Sequence, residues 1–311
     1  MSDVQFPEPG SVEIALSVRT HDRVGARRTD AAWLAETWAS GSTRVVPLVG
    51  TFLPVDDEGT TVRWRSAAQL PEGAEKRGQR IFLGSRDGVA HFALVLPRPD
   101  GDEPLDSGRW SSLRGVVQTL HEPDAGFMVH AVALAEWHAG HRFCPRDGSR
   151  LEVTDAGHVL RCEGHGHQQF PRTDPAVIMM VTDGDRALLG RQESWPEGRY
   201  STLAGFVDPG ENLEEAVVRE VAEETGVEVT DVTYFGNQPW PFPQSLMVGF
   251  FARATSTDIQ VDGAEISDAR WFSRAELKAG AESGDLVLPG GISISRSLVE
   301  AWYGEPLPGH W

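Results

Sequence analysis

Three carboxylates, Glu220, Glu223 and Glu224, stand at i, i+3 and i+4 in the segment from Arg219 to Gly226. On a helix they share one side. Like charges packed this closely repel, which costs stability. A cation held by all three would remove the repulsion. Hard oxygen ligands suit Mg²⁺ or Mn²⁺, ions that commonly serve phosphate chemistry. Local signals support the helix. Pro209 and Gly210 break the chain ahead of it, and Leu213, Val217, Val218 and Val221 supply an apolar stripe at helical spacing. Gly226 sits where a helix takes a left-handed C-terminal residue. Arg219 lies beside the carboxylates and is placed to hold one of them by charge-assisted hydrogen bonds. A merely solvated acidic face is common, but this spacing is not.

The wider stretch carries a resemblance. Gly205, Glu211, Arg219, Glu220, Val221, Glu223, Glu224, Gly226 and Val227 occupy every fixed position of the Nudix box, so the chain resembles the Nudix hydrolase family. A second motif follows at Gln238-Pro-Trp-Pro-Phe-Pro-Gln-Ser245. Each proline removes a backbone donor and fixes φ, which excludes a helix interior or a central strand. The whole stretch Gly236–Ser245 reads as a stiff aromatic loop. It is similar to the motif of the NADH pyrophosphatase branch of that family, with Asn237 in place of the branch's leading serine.

The whole chain sets bounds. Its 311 residues allow two domains, or two plus a small module. A composition of 40% hydrophobic and 24% charged residues suits a sizeable core. The formal net charge is -18, from 28 basic and 46 acidic residues. A general nucleic-acid binder would show a basic excess, so an anionic substrate must be drawn in by metal ions and a few local cations. Two cysteines cannot build a disulfide framework. There is no secretory signal pattern and no apolar run near the ~20 residues of a membrane span. The chain reads as cytoplasmic, with no membrane partner.

The elements that must position the box are legible in outline. Thr43–Val55 reads as a strand, and Arg80–Leu96 as a hairpin turning at Arg86-Asp87-Gly88. Asp100–Ser107 reads as a loop and Asp124–His138 as a helix. A second hairpin runs through Ala176–Val181 and Ala187–Leu189. Strands are expected at Ser201–Val207, Leu246–Ala254 and Ala269–Phe272. Ser273 with Glu276 forms a capping box, and Ser293–Trp302 suggests a final helix. The expected organisation is an N-terminal α+β domain (1–138), a zinc-ribbon-like module (139–172) and a C-terminal Nudix α/β/α sandwich (173–311).

The resemblance implies a four-cysteine ribbon before the Nudix domain. This chain departs from it: Cys144-Pro-Arg-Asp147 is followed, after fourteen residues, by Cys162-Glu-Gly-His165. All three residue types ligate zinc, and His158 or His167 could substitute. The alternative is a ribbon without metal, held by packing. The resemblance further implies metal-dependent hydrolysis of the pyrophosphate in NADH or NAD⁺, giving AMP and nicotinamide mononucleotide, and removal of the NAD cap from RNA. Glu220, Glu223 and Glu224, joined by Glu265 from a later loop, would hold Mg²⁺ or Mn²⁺. Glu224 would also orient or deprotonate the attacking water, and Glu211 would support the loop or an outer metal shell. Phe206 would stack on a substrate ring and Phe170 approach the same ring. Gln238 and Ser245 would hydrogen-bond the nucleotide beside the Trp240 platform, and Ser295 would line the pocket. Relatives of this branch also imply a homodimer.

Overall fold

The computed structural model describes residues 6–8, 10, 12–17, 19–97, 108–261 and 263–307. The loop expected at Asp100–Ser107 lies outside them. The chain forms two compact units, Val18–Thr173 with Pro241–Gln244, and Met1–Ser17 with Asp174–Trp240 and Ser245–Trp311.

The first unit contains α1 (Ala31–Ala39), β1 (Arg44–Leu48), β2 (Phe52–Val55), α2 (Ala74–Arg77), β3 (Gln79–Arg86), β4 (Val89–Val95), β5 (Arg109–Ser112), α3 (Leu113–Val116), α4 (Glu122–Gly140), β6 (Leu151–Thr154), β7 (Val159–Cys162) and β8 (Gln168–Gln169). Its sheets are β1-β4-β3, β2-β5 and β6-β7-β8. The single strand expected at Thr43–Val55 is in fact two strands in different sheets. Val49 and Phe52 exchange backbone hydrogen bonds of 3.0 Å, and Gly50 between them takes φ 57°, a conformation that ends the pleat and favours glycine. The β3–β4 hairpin turns as expected, with Asp87 and Gly88 both at positive φ. Helix α4 carries buried residues on all sides, among them Phe127, Met128, Val129 and Ala131, the mark of an internal helix.

The second unit contains β9 (Asp174–Thr182), β10 (Arg186–Arg191), β11 (Leu203–Phe206), α5 (Leu213–Thr225), β12 (Val229–Trp240), β13 (Ser245–Ala254), β14 (Asp268–Ser273), α6 (Arg274–Ser283) and α7 (Ile294–Tyr303). Strand β9 is its axis. It runs parallel to β13 and antiparallel to β10 and β11 in a sheet ordered β12-β13-β9-β10-β14, with β11 on β9. Side chains alternate across a strand, so β9 serves two cores. Val177, Met179 and Val181 pack with Ala216, Val217 and Val221 of α5. Ile178 and Met180 pack with Leu277 of α6 and Leu298 of α7. These are the three layers of an α/β/α sandwich. Ile14, from the chain's first residues, joins the second core.

Two expectations need correction. The stiff loop expected at Gly236–Ser245 is strand as far as Trp240, with Pro239 opposite Leu246. Strand β12 is at the sheet edge, where a missing donor is tolerated; only Pro241–Gln244 forms the turn. On α5 the apolar stripe does not include Val218, which is 41% exposed. The buried stripe is Val217, Glu220, Val221 and Glu224, the i, i+3, i+4, i+7 set. Two carboxylates therefore lie on the buried face. Full burial of Val217 and Val221 contributes about 1.5–3 kcal/mol each.

Helix α5 starts at an Asn212 cap. The Asn212 side chain accepts from Glu215 N at 2.8 Å and Glu215 accepts from Asn212 N at 3.4 Å, a reciprocal box that Asn-x-x-Glu announces. Gly226 closes the helix at φ 70°. Asn212→Ala is expected to lower stability by about 1 kcal/mol, read as an earlier urea midpoint with unchanged slope.

Candidate active site

One cavity of about 650 Å³ in the second unit gathers most of the box. Helix α5 contributes Glu220, Glu223 and Glu224. Strand β11 contributes Gly205 and Phe206, and β13 contributes Ser245 and Met247. Asp208 and Glu265 come from loops. Phe206 is 60% exposed, an uncovered aromatic face beside a ring of acids. Asp208, Met247 and Gln192 were not singled out in the sequence. Asp208 lies inside the box stretch, whereas nothing in the sequence marks the other two.

Arg219 organises the acids. Its Nε and Nη2 donate to the two oxygens of Glu211 at 2.8 Å each. Nη1 donates to Glu220 at 2.8 Å and Glu223 at 3.0 Å, and Nη2 also donates to the Phe206 carbonyl at 2.9 Å. The bidentate pair holds Glu211 down to about 2, helped by the Asp208 N–H that donates to it. Glu220 moves the other way. Burial raises it, Arg219 opposes, and the charges of Glu223 and Glu265 raise it further. Relief of the carboxylates' repulsion does not fall to a bound cation alone, because Arg219 supplies part of it from within the helix.

Glu220 is seated against bare backbone. A Cβ on Gly205 would lie 1.9 Å from the Glu220 carboxyl carbon and 2.1–2.2 Å from its oxygens. No alanine fits there without expelling the acid. The register Gly205↔Val177 and Phe206↔Ala176 presents this gap to α5. Among the described residues, one guanidinium, that of Arg219, and five carboxylates, Asp208, Glu220, Glu223, Glu224 and Glu265, line this cavity, with Glu211 beside them. The carboxylates are hard oxygen donors, so the residues present fit a divalent cation.

Other residues from the sequence analysis lie elsewhere. Gln238 is 1% exposed and committed: its Nε2 donates to the carbonyls of Ala15 and Ile292 at 2.7 Å each, and its Oε1 accepts from Ile294 N at 3.0 Å. Ser295 is also buried, within 3.0 Å of the hydroxyls of Ser201 and Thr202. Neither lines the cavity. Trp240 ends β12 opposite Ser245 and is not among the lining residues. Phe170 belongs to the first unit, where it is 66% exposed. Phe242, in the turn, lies under the Arg114 guanidinium at 5.1 Å.

In the first unit Cys144, Asp147, Cys162 and His165 converge, each offering a ligand atom within 4.8 Å of the others. Cys144 Sγ is 3.7 Å from His165 Nε2, Cys162 Sγ is 3.5 Å from Asp147 Oδ1, and His165 Nε2 is 3.4 Å from Asp147 Oδ2. Tetrahedral bonds of about 2.0–2.3 Å put ligand atoms about 3.3–3.8 Å apart, so the set fits a four-coordinate ion. The two substitute histidines are not in this cluster. His158 donates from Nε2 to the Phe82 carbonyl at 2.8 Å, and burial lowers it to about 4. The His167 N–H donates to His165 Nδ1 at 3.2 Å, which leaves Nε2 for the cluster.

Comparison with known proteins adds to this geometry. Residues 172–289 match the NUDIX domain family, and residues 42–137 match the NADH pyrophosphatase-like rudimentary NUDIX domain. NAD-capped RNA hydrolase NudC of Mycobacterium bovis is 42% identical, over 72% of this chain and 75% of its own length. The chain belongs to the Nudix hydrolase family. NAD-capped RNA hydrolase NUDT12 of Homo sapiens is also 42% identical, over 71% of this chain and 56% of its own length. The first unit of this Nudix protein thus contains a second, rudimentary copy of the domain, which its sequence had shown only as strands and a helix. Among the described residues no helix is long and apolar enough to cross a membrane.

The placement of Gln238 separates packing from binding. Gln238→Ala would strip three backbone groups, two of them buried, of their partner, at about 1–3 kcal/mol for each buried group left unsatisfied. A clear drop in melting temperature is the expected result of a thermal scan, whether or not a nucleotide is present.

Proposed function

We propose that this protein hydrolyses the pyrophosphate of NAD(H), free or as the 5′ cap of RNA, to AMP and nicotinamide mononucleotide (or, from capped RNA, a 5′-monophosphate end). The observation that carries the reading is one cavity in which the box carboxylates meet an exposed Phe206 and the Ser245 that closes the proline-rich motif. The names of the curated relatives support it. Water bonds to one phosphorus and the bridging oxygen leaves with the other mononucleotide, whose phosphate takes up a proton. Mg²⁺ or Mn²⁺ on Glu220, Glu223, Glu224 and Glu265 would neutralise phosphate oxygens and lower the pKa of bound water. Glu224 orients the attacking water and accepts its proton. Arg219 keeps Glu220 and Glu223 aligned, and Glu211 keeps Arg219 aligned. Phe206 stacks on a base or nicotinamide ring, and Ser245 offers a hydroxyl to the same half. The acidic chain disfavours contacts along an RNA body, so recognition is of the cap.

Incubation with NADH and Mg²⁺ or Mn²⁺ should give AMP and reduced nicotinamide mononucleotide only when metal is present. Glu224→Gln should lower turnover by at least ~100-fold without changing the melting temperature. Near-normal turnover in that variant would remove Glu224 from the chemistry, and intact NADH in the unaltered protein would remove the reading itself.

We also propose that Cys144, Asp147, Cys162 and His165 hold a structural zinc, on the strength of their tetrahedral spacings. All four positions are filled by protein, which leaves none open for catalysis. Metal analysis of protein purified without chelator should find about one zinc per chain, lost in Cys144→Ser; a metal-free unaltered protein would retire the site.

A further inference from the structure

The cavity holding the carboxylates does not end at Glu265. A second cavity of about 560 Å³ adjoins it, and Gln192 and Glu265 line both. Glu193, Ser194 and Ala264 complete its lining. Its walls are two turns, one following β10 and one preceding β14. Ser267 ties them together, donating from N and Oγ to the Arg191 carbonyl at 2.9 and 3.2 Å. The first turn is braced from behind. Trp195 N donates to the Gln192 carbonyl at 3.1 Å, Arg191 donates to the Trp195 carbonyl at 3.0 Å, and the Arg199 guanidinium sits 5.2 Å from the Trp195 ring. The groove is therefore preformed. The side chains of Gln192, Glu193 and Ser194 make no hydrogen bond among the described residues, although the backbone around them is tightly tied.

A dinucleotide has a nucleoside on each side of its pyrophosphate. With the phosphates at the carboxylates and one ring on Phe206, the other half must leave in a different direction. The passage between Gln192 and Glu265 supplies it. We infer that this groove is the subsite for the nucleoside half that does not stack on Phe206, an inference that rests on the dinucleotide reading above. Its chemistry suits a nucleoside. Glu193 accepts from ribose hydroxyls or an exocyclic amine, while Gln192 and Ser194 donate or accept as the sugar and ring require. Gln192 positions the substrate and does not touch the reacting atoms.

The test compares three pyrophosphates: NADH, the methyl ester of ADP, and the methyl ester of reduced nicotinamide riboside diphosphate. Each ester retains one nucleoside. Ala264→Trp, on an exposed turn, fills the groove. It should raise KM for NADH by at least about tenfold with kcat within about threefold, the pattern of lost binding common to ground and transition states. It should also raise KM for one ester and spare the other. Gln192→Ala removes an amide without adding bulk and should shift the same two KM values by about three- to tenfold. Equal changes for all three compounds, or none, would overturn the subsite. If the unaltered protein cleaves none of the three, the dinucleotide reading itself has failed. Circular dichroism checks that each variant is folded.

Discussion

The close approach of β11 to α5 is the constraint on which the site depends. Gly205 lacks a side chain, and the Glu220 carboxylate fills the space where a Cβ would be. Burial of that acid is unfavourable by itself and raises its pKa. Arg219, the next residue on the helix, offsets this with a charge-assisted bond. The same guanidinium binds Glu211, Glu223 and the Phe206 carbonyl. Strand end, loop and helix are thereby locked by one cation. The distribution of charge follows from this lock. The bonds from Arg219 hold the Glu211 carboxyl down to about 2, while burial pushes the Glu220 carboxyl up.

The sheet explains why such a site can be both buried and open. Strand β9 gives alternate side chains to two cores, so its neighbours cannot slip by one residue without exposing both faces. Strand β11 pairs with β9 through Phe206, its last residue, and there the ring emerges into solvent. At the far edge, β12 tolerates Pro239 because no further strand needs its missing donor. Gln238, next to it, turns inward and joins the first residues of the chain to the start of α7. The polar residues of the proline-rich motif thus divide into two classes. Gln238 stabilises the fold, and Ser245 faces the cavity.

In the first unit two thiols, a carboxylate and an imidazole each bring one ligand atom within 4.8 Å of the others. Ser149 donates to Asp147 through N and Oγ at 3.0 Å each, and the His167 N–H fixes the His165 ring. These contacts orient two of the four side chains.

Some of this was legible in the sequence because it is local. Helical spacing, turn residues and cap residues depend on near neighbours, so the ends of α5, the β3–β4 turn and the Ser273 cap follow from residue order. So does the box itself, since its glycines, arginine and glutamates lie on one strand–loop–helix unit. Long-range assignments were less visible. Val218 and Glu220 look interchangeable on an amphipathic helix until the sheet selects which face is covered. Gln238 and Ser295 are polar residues in a functional motif or beside one, yet their hydrogen bonds come from segments distant in the sequence. Gln192 and Glu265, 73 positions apart, share a groove only because Ser267 reaches back to Arg191. The sequence determined the chemistry by fixing which donors stand on one helix; tertiary structure decided which polar groups are committed to packing and which are left to meet a substrate, because only folding brings distant backbone to them.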